Sequence, residues 1–166
     1  MEVIMTKQNI QNYHIPRWKE IPKLDLYLDQ TVTLLEKELK NFICNKDETI
    51  ITKTMINNYV KQGLIKPPKK KKYNKIHIAT LFVICILKQV YSISDISELI
   101  GLAIKTARIN SAYDQFCDAI ERAIKYTFDG IEYKVPDNIA FEQYLLQSVA
   151  QSFASKLYVE KTFLHK

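Results

Sequence analysis

The sequence predicts an all-α protein. Apolar residues recur at helical spacing through nearly every segment, alternating strand patterns are almost absent, and only three glycines and five prolines punctuate 166 residues. Residues 22–43 open with Pro22 at a helix-start position and repeat Leu24, Tyr27 and Leu28, Thr31, Leu34 and Leu35, Leu39 and Phe42, the pattern of one long amphipathic helix. Ahead of it, Ile15-Pro16-Arg17-Trp18 and Ile21 supply apolar anchors in an extended lead-in. A shorter helix over about 52–62 stops at Gly63, and a Pro- and Lys-rich connector runs from Ile65 to Tyr73. Asn74 is placed to cap a helix over 75–90. Its apolar run, Ile76 to Val90, is only about 15 residues and contains His77, Thr80, Lys88 and Gln89, which makes it a buried core helix and not a membrane span.

Ser92 and Asp95 match a capping box that opens a brief helix to about Ile100. Farther on, Ile109, Tyr113, Phe116, Cys117, Ile120, Ile124 and Phe128 line one helix face, with Asp114, Asp118, Glu121, Arg122 and Lys125 on the other, and Gly130 ends the helix. A turn with a short extended piece at 131–133 leads past Pro136 to a cap at Asp137 or Asn138 and a last helix over 138–163. The apolar face of that helix, from Phe141 to Phe163, is wide for a lone terminal helix. It predicts packing on the preceding helix, or alternatively on a second subunit.

Charge is distributed unevenly. From Thr49 to Ser94 there is no Asp or Glu but nine lysines; the rest of the chain holds the other 15 of the 24 basic residues against 18 acidic ones. Four lysines, Lys69 to Lys72, stand in one run between Pro68 and Tyr73. Positive potential concentrated in this way suits a polyanion, most commonly nucleic acid, although a solvated lysine run kept for solubility has the same composition. Helical spacing over 52–62 turns Met55, Ile56, Tyr59 and Val60 inward and leaves Lys53, Thr54, Asn57, Asn58 and Lys61 outward. That outward face has two ammonium groups for phosphates and two amides able to pair with an adenine edge. Two successive Asn residues cost helix stability, which points to a role in recognition.

Other chemistry is poorly served. There is no Gly-rich phosphate loop, no nucleophile motif and no metal-spaced His and Cys set, and His14, His77 and His165 are scattered, so neither an enzyme nor a cofactor is expected. Cys44, Cys85 and Cys117 lie far apart in apolar stretches, as reduced core residues do. Met1 to Met5 runs directly into Thr6-Lys7-Gln8-Asn9 without a signal core, so a cytoplasmic protein with no membrane partner is expected.

The run Gly63-Leu64-Ile65-Lys66-Pro67-Pro68, the lysines and Tyr73-Asn74-Lys75 resemble the wing and following helix of MerR-type winged-helix regulators. A closer resemblance takes in Ile15-Pro16-Arg17-Trp18, Leu26-Tyr27-Leu28-Asp29-Gln30, Asn57-Asn58-Tyr59-Val60-Lys61-Gln62-Gly63-Leu64-Ile65 and Ile86-Leu87-Lys88-Gln89-Val90. In these segments the chain is similar to the bacterial domain-of-unknown-function family 1836, commonly described as MerR-like and DNA-binding. The resemblance implies a MerR-like winged helix-turn-helix over 47–104; apolar spacing places a lead-in and long helix over 1–46 before it and a C-terminal helical hairpin over 105–166, expected to dimerise, after it. Where the MerR pattern has Arg-Tyr-Tyr-Glu this chain has Asn57-Asn58-Tyr59-Val60, and its wing carries lysine only.

The combined expectation is a transcriptional regulator, homodimeric on double-stranded DNA. Asn57 and Asn58 would read bases with Thr54 in support, and Lys53, Lys61, Lys69, Lys70, Lys71, Lys72 and Lys75 would hold phosphate, with Tyr59 and Tyr73 bracing the wing from beneath. The alternative is a protein-interaction module that uses the same lysines on an acidic partner.

Overall fold

The computed structural model describes residues 13–45 and 47–164; the expectations for the N-terminal stretch from Met1 and for His165 lie outside them. The architecture is mostly helical. A 3-10 turn, Trp18–Glu20, and a two-residue strand β1, Leu26–Tyr27, lead into α1, Leu28–Leu39, which a second 3-10 turn, Lys40–Phe42, extends. Then come α2 (Lys53–Lys61), the strand β2 (Lys72–Tyr73), α3 (Lys75–Leu87), α4 (Ile93–Thr106), α5 (Ile109–Asp129) and α6 (Phe141–Val159), the last running into a π-helical turn, Glu160–Leu164.

The first long helix is shorter than its periodicity predicts. Residues 22–27 are not helical, because Leu26 and Tyr27 pair antiparallel with Tyr73 and Lys72. The helix begins at Leu28, with the Gln30 side chain accepting the Tyr27 N–H at 2.9 Å. Asp29 and Gln30 therefore lie in a first turn, not in mid-helix. Periodicity cannot detect a strand partner more than forty residues away.

Asn74 and Ser92 cap their helices as the sequence predicts, with side chains that accept the N–H groups of His77 and Asp95 at 3.1 Å each, but at Ser92 only this half of the predicted capping box forms. The helix after Ser92 continues past Gly101 to Thr106, because Leu102 and Ala103 still face an apolar cleft. At the last helix the cap differs. Asn138 takes a left-handed φ of 61°, and Ala140 is the N-cap without a side-chain bond.

The two C-terminal helices pack along each other but do not form an antiparallel hairpin. Arg122 meets Gln147 at 3.1 Å, Gln151 meets Thr127 at 2.9 Å, and Phe128 meets Tyr158 with ring centroids 5.3 Å apart. Partner numbers rise together, so α5 and α6 run parallel. The return path is Gly130 to Ala140, with no strand among its residues. Extended at about 3.3 Å per residue it spans the roughly 30 Å of α5. Tyr133 fastens it on the way, 5.4 Å from the Tyr126 ring and 4.9 Å from the Arg122 guanidinium.

The core centres on α3, which buries His77, Ile78, Ala79, Leu81, Phe82, Ile84, Cys85, Ile86 and Leu87. The lead-in is lashed across the polar face of α5. Glu121 accepts from the Ile15 N–H at 2.8 Å and Asp114 from the Trp18 N–H at 2.8 Å. Arg17 reaches Asp118 at 2.7 Å and pairs closely with Glu121, while the Tyr113 hydroxyl donates to Pro16 O at 2.6 Å. Burial works against the Arg17 guanidinium charge, but Glu121 and then Asp118 outweigh it and raise the guanidinium pKa. Acids that read as a solvated helix face are thus engaged in holding a segment 100 residues away.

Arg17→Ala should lower unfolding free energy by about 2 kcal/mol in urea titrations, since it leaves the half-buried Glu121 Oε2 without its guanidinium partner, and Asp118→Ala should cost less because Asp118 is more exposed. Burial pushes the thiols of Cys44, Cys85 and Cys117 up to about 11, 12 and 12. All three are buried, so a disulfide reagent at pH 8 should label the native chain slowly and all three cysteines promptly once it is unfolded.

Candidate nucleic-acid interface

Helix α2 is defined at both ends by its own sequence. The Thr52 hydroxyl accepts the Met55 N–H at 3.1 Å. At the other end Gly63, at φ 75°, closes a Schellman motif in which Gly63 N–H reaches Val60 O at 3.0 Å and Leu64 N–H reaches Tyr59 O at 2.9 Å. Ile56 and Tyr59 are buried, Met55 and Val60 half-buried, and Lys53, Thr54, Asn57, Asn58 and Lys61 are exposed, as the spacing predicts. Among the described residues neither Lys53 nor Lys61 has a carboxylate within ion-pair distance.

The lysine run is a hairpin tip. Lys69 N–H bonds Lys72 O at 3.2 Å and Lys72 N–H bonds Lys69 O at 2.9 Å, with Lys70 at φ 50° and Lys71 at φ 63° between them. Two left-handed residues bridged by reciprocal bonds are the mark of a type I′ turn, which Asn-Gly ordinarily supplies. Lysine at such positions costs on the order of 1 kcal/mol each. This turn was illegible in the sequence, since no Gly or Asn announces it. Lys69, Lys70 and Lys71 are exposed.

Two of the predicted phosphate ligands are engaged within the chain. The Lys72 ammonium lies 5.2 Å from the Tyr27 ring centroid. The Lys75 ammonium donates to Trp18 O at 2.9 Å and lies 5.6 Å from the Trp18 ring. Tyr73 is buried beneath the hairpin, in an edge contact with His77 at 5.4 Å, and burial raises its phenol. Tyr59 lies under α2 near Cys85 of α3; burial first, and that thiol second, push its phenol up to about 12.

Helix α3 supports both parts of this surface. At its start His77 Nδ1 accepts the Asn74 N–H at 3.0 Å, so Nε2 carries the proton and donates to Lys66 O at 3.0 Å. The buried imidazole therefore ties the hairpin approach to the helix. Past its end, Gln89 accepts the Cys44 N–H at 2.6 Å and donates to Phe42 O at 2.8 Å. Lys88 donates to Ile50 O and lies 3.6 Å from Met55 Sδ, and burial lowers its ammonium pKa. Lys88 and Gln89 thus clamp the connection from 43 to 52 that leads into α2. In the sequence Lys88 and Gln89 stand out as polar residues in an apolar run and as part of a matching segment, but nothing there assigns them a clamping role.

The model of a family described as a domain of unknown function, DUF1836, matches residues 16–116, more than half of the chain. The chain belongs to the DUF1836 family. The matched span contains the Tyr113–Pro16 and Trp18–Asp114 contacts of the lead-in as well as α2, the hairpin and the α3 clamps, while Ile15, Asp118 and Glu121 lie outside it. No curated protein and no solved structure matches the chain. Among the described residues no helix is long and apolar enough to cross a membrane, and no cluster of His, Cys, Asp or Glu could hold a metal ion.

Replacing Lys70 by Asn and Lys71 by Gly should relieve the left-handed backbone and raise stability by about 1–2 kcal/mol in urea unfolding. A loss of stability would show that the turn is not left-handed in solution.

Proposed function

We propose that this DUF1836 protein is a transcriptional regulator that binds double-stranded DNA through a MerR-like winged helix-turn-helix. In this reading α2 enters the major groove and the 69–72 turn is the tip of the wing. The observation that carries it is the pairing of two acid-free cationic surfaces, the outer face of α2 and the lysine turn, on one scaffold helix that fixes both. Asn57 and Asn58 read base edges, with Thr54 beside them. Lys53, Lys61, Lys69, Lys70 and Lys71 bind phosphate as exposed point charges. Lys72 and Lys75 join them only by leaving Tyr27 and Trp18, so their share of the affinity is smaller. Tyr59 and Tyr73 support from below.

A single half-site binds weakly, and a homodimer in the cytoplasm is part of the proposal. Exposed apolar groups on and beyond α6, Phe141, Tyr144, Val159 and Phe163, support it.

Fluorescence anisotropy on mixed-sequence duplex and on duplex from upstream of the protein's own gene, at 50 and 200 mM salt, tests the reading. Neutralising about five phosphates gives a log–log slope near −4.5, a fall on the order of several hundred-fold. Lys70→Ala should weaken both duplexes equally and lower the slope by about one, whereas Asn57→Ala should reduce preference for the upstream duplex. No binding at 50 mM salt would replace the proposal with the acidic-partner module.

A further inference from the structure

Between α3, α4 and the first turns of α5 and α6 lies a half-open cavity of about 170 Å³. Val83, Leu99, Ala103, Phe116 and Leu146 form much of its wall. We propose that this cavity is a binding site for a small, uncharged, apolar molecule of the size of benzene to naphthalene. The site stands independently of the DNA reading.

Size is the first argument. An enclosed apolar cavity of about 150 Å³ lined by Leu, Ile and Phe takes up benzene, because its walls lack dispersion partners and water gains no hydrogen bonds there; this half-open cavity has a similar volume and a similarly apolar wall. The second argument is that the polar groups in the wall are already bonded. The Thr80 hydroxyl donates to Ile76 O at 2.7 Å and that of Thr106 to Ala103 O at 3.1 Å. The Tyr113 hydroxyl donates to Pro16 O at 2.6 Å and the Gln115 amide to Ser111 Oγ at 3.0 Å. Gln143, the remaining uncharged polar side chain of the lining, is exposed, so within the cavity selection is by shape and apolarity. Charge is the third. The lining holds no Lys, Arg or His, and its carboxylate, Glu142, is exposed at the rim. A fatty-acid or aromatic carboxylate would meet that charge and find no cation in return.

Ala79, Val83 and Leu87 of α3 share the wall, on the same helix whose ends hold the hairpin and the connection into α2.

The test titrates the full chain with toluene and, separately, with benzoate, following amide shifts by NMR. Toluene should saturate with a dissociation constant on the order of 0.1–1 mM and shift amides around the cavity, including those of Val83, Ala103 and Leu146. Benzoate should bind at least tenfold more weakly. Ala103→Phe, which fills the cavity, should weaken toluene at least tenfold while the native amide spectrum elsewhere is retained. Absence of saturable toluene shifts, shifts away from these residues, or equal binding of benzoate would overturn the proposal. Should the Ala103 variant fail to fold, the contrast between toluene and benzoate on the native chain decides alone.

Discussion

Helix α3 is apolar on nearly every side, and the rest of the chain is arranged so that little of it meets water. Ile78, Leu81, Phe82, Ile84, Cys85 and Ile86 are at most 1 % exposed. Each large side chain of this kind contributes roughly 1.5–3 kcal/mol on burial, so the helix dominates the choice of topology. A helix buried all round cannot display function on its own surface. It acts through its ends, where the backbone groups a helix leaves unpaired meet side chains. At the N-terminus these are Asn74 and His77, which draw in Lys66 and the hairpin; at the C-terminus Lys88 and Gln89 draw in Ile50, Cys44 and Phe42. One rigid rod thereby sets the placement of two separate cationic elements.

Charge follows the same division. Carboxylates on α5 bind the lead-in through Arg17 and the N–H groups of Ile15 and Trp18, in a partly dry setting where such bonds are stronger than on open surface. Among the described residues the lysines of α2 and of the hairpin tip have no such partners. Strain adds to the distinction, since two lysines hold left-handed backbone where Asn-Gly would sit more easily. Backbone strain at an exposed charged tip is a cost that folding alone does not require, and it agrees with a role in contact.

The C-terminal third contributes structure that a pattern reading renders as a simple hairpin. Parallel packing of α5 and α6 requires a crossover as long as α5 itself, and Gly130 to Ala140 provides it. The arrangement brings the first turns of both helices alongside α3 and leaves the apolar cavity there, along Ala79, Val83 and Leu87. Just past the C-terminal end of α3 the Lys156 ammonium donates to Gln89 O at 2.6 Å, which joins α6 to the group that clamps the connection into α2.

What the sequence determined by itself is what depends on neighbours along the chain. Helical class, the caps at Asn74 and Ser92, the stop at Gly63 and the division of α2 into buried and exposed faces all follow from spacing and from side chains within four residues. The family was legible too, because its matching segments are short local motifs. Tertiary structure decided whatever depends on distant partners. Pro22 to Tyr27 leaves the helical pattern because Leu26 and Tyr27 find Tyr73 and Lys72. Lys72 and Lys75 are drawn onto Tyr27 and Trp18, although in the sequence they look the same as Lys70. The carboxylates of α5 become anchors, and α6 turns parallel, only once the lead-in and α3 are in place. Hydrogen bonds and ring contacts of this kind carry no period, so they appear only when the chain has brought their two halves together.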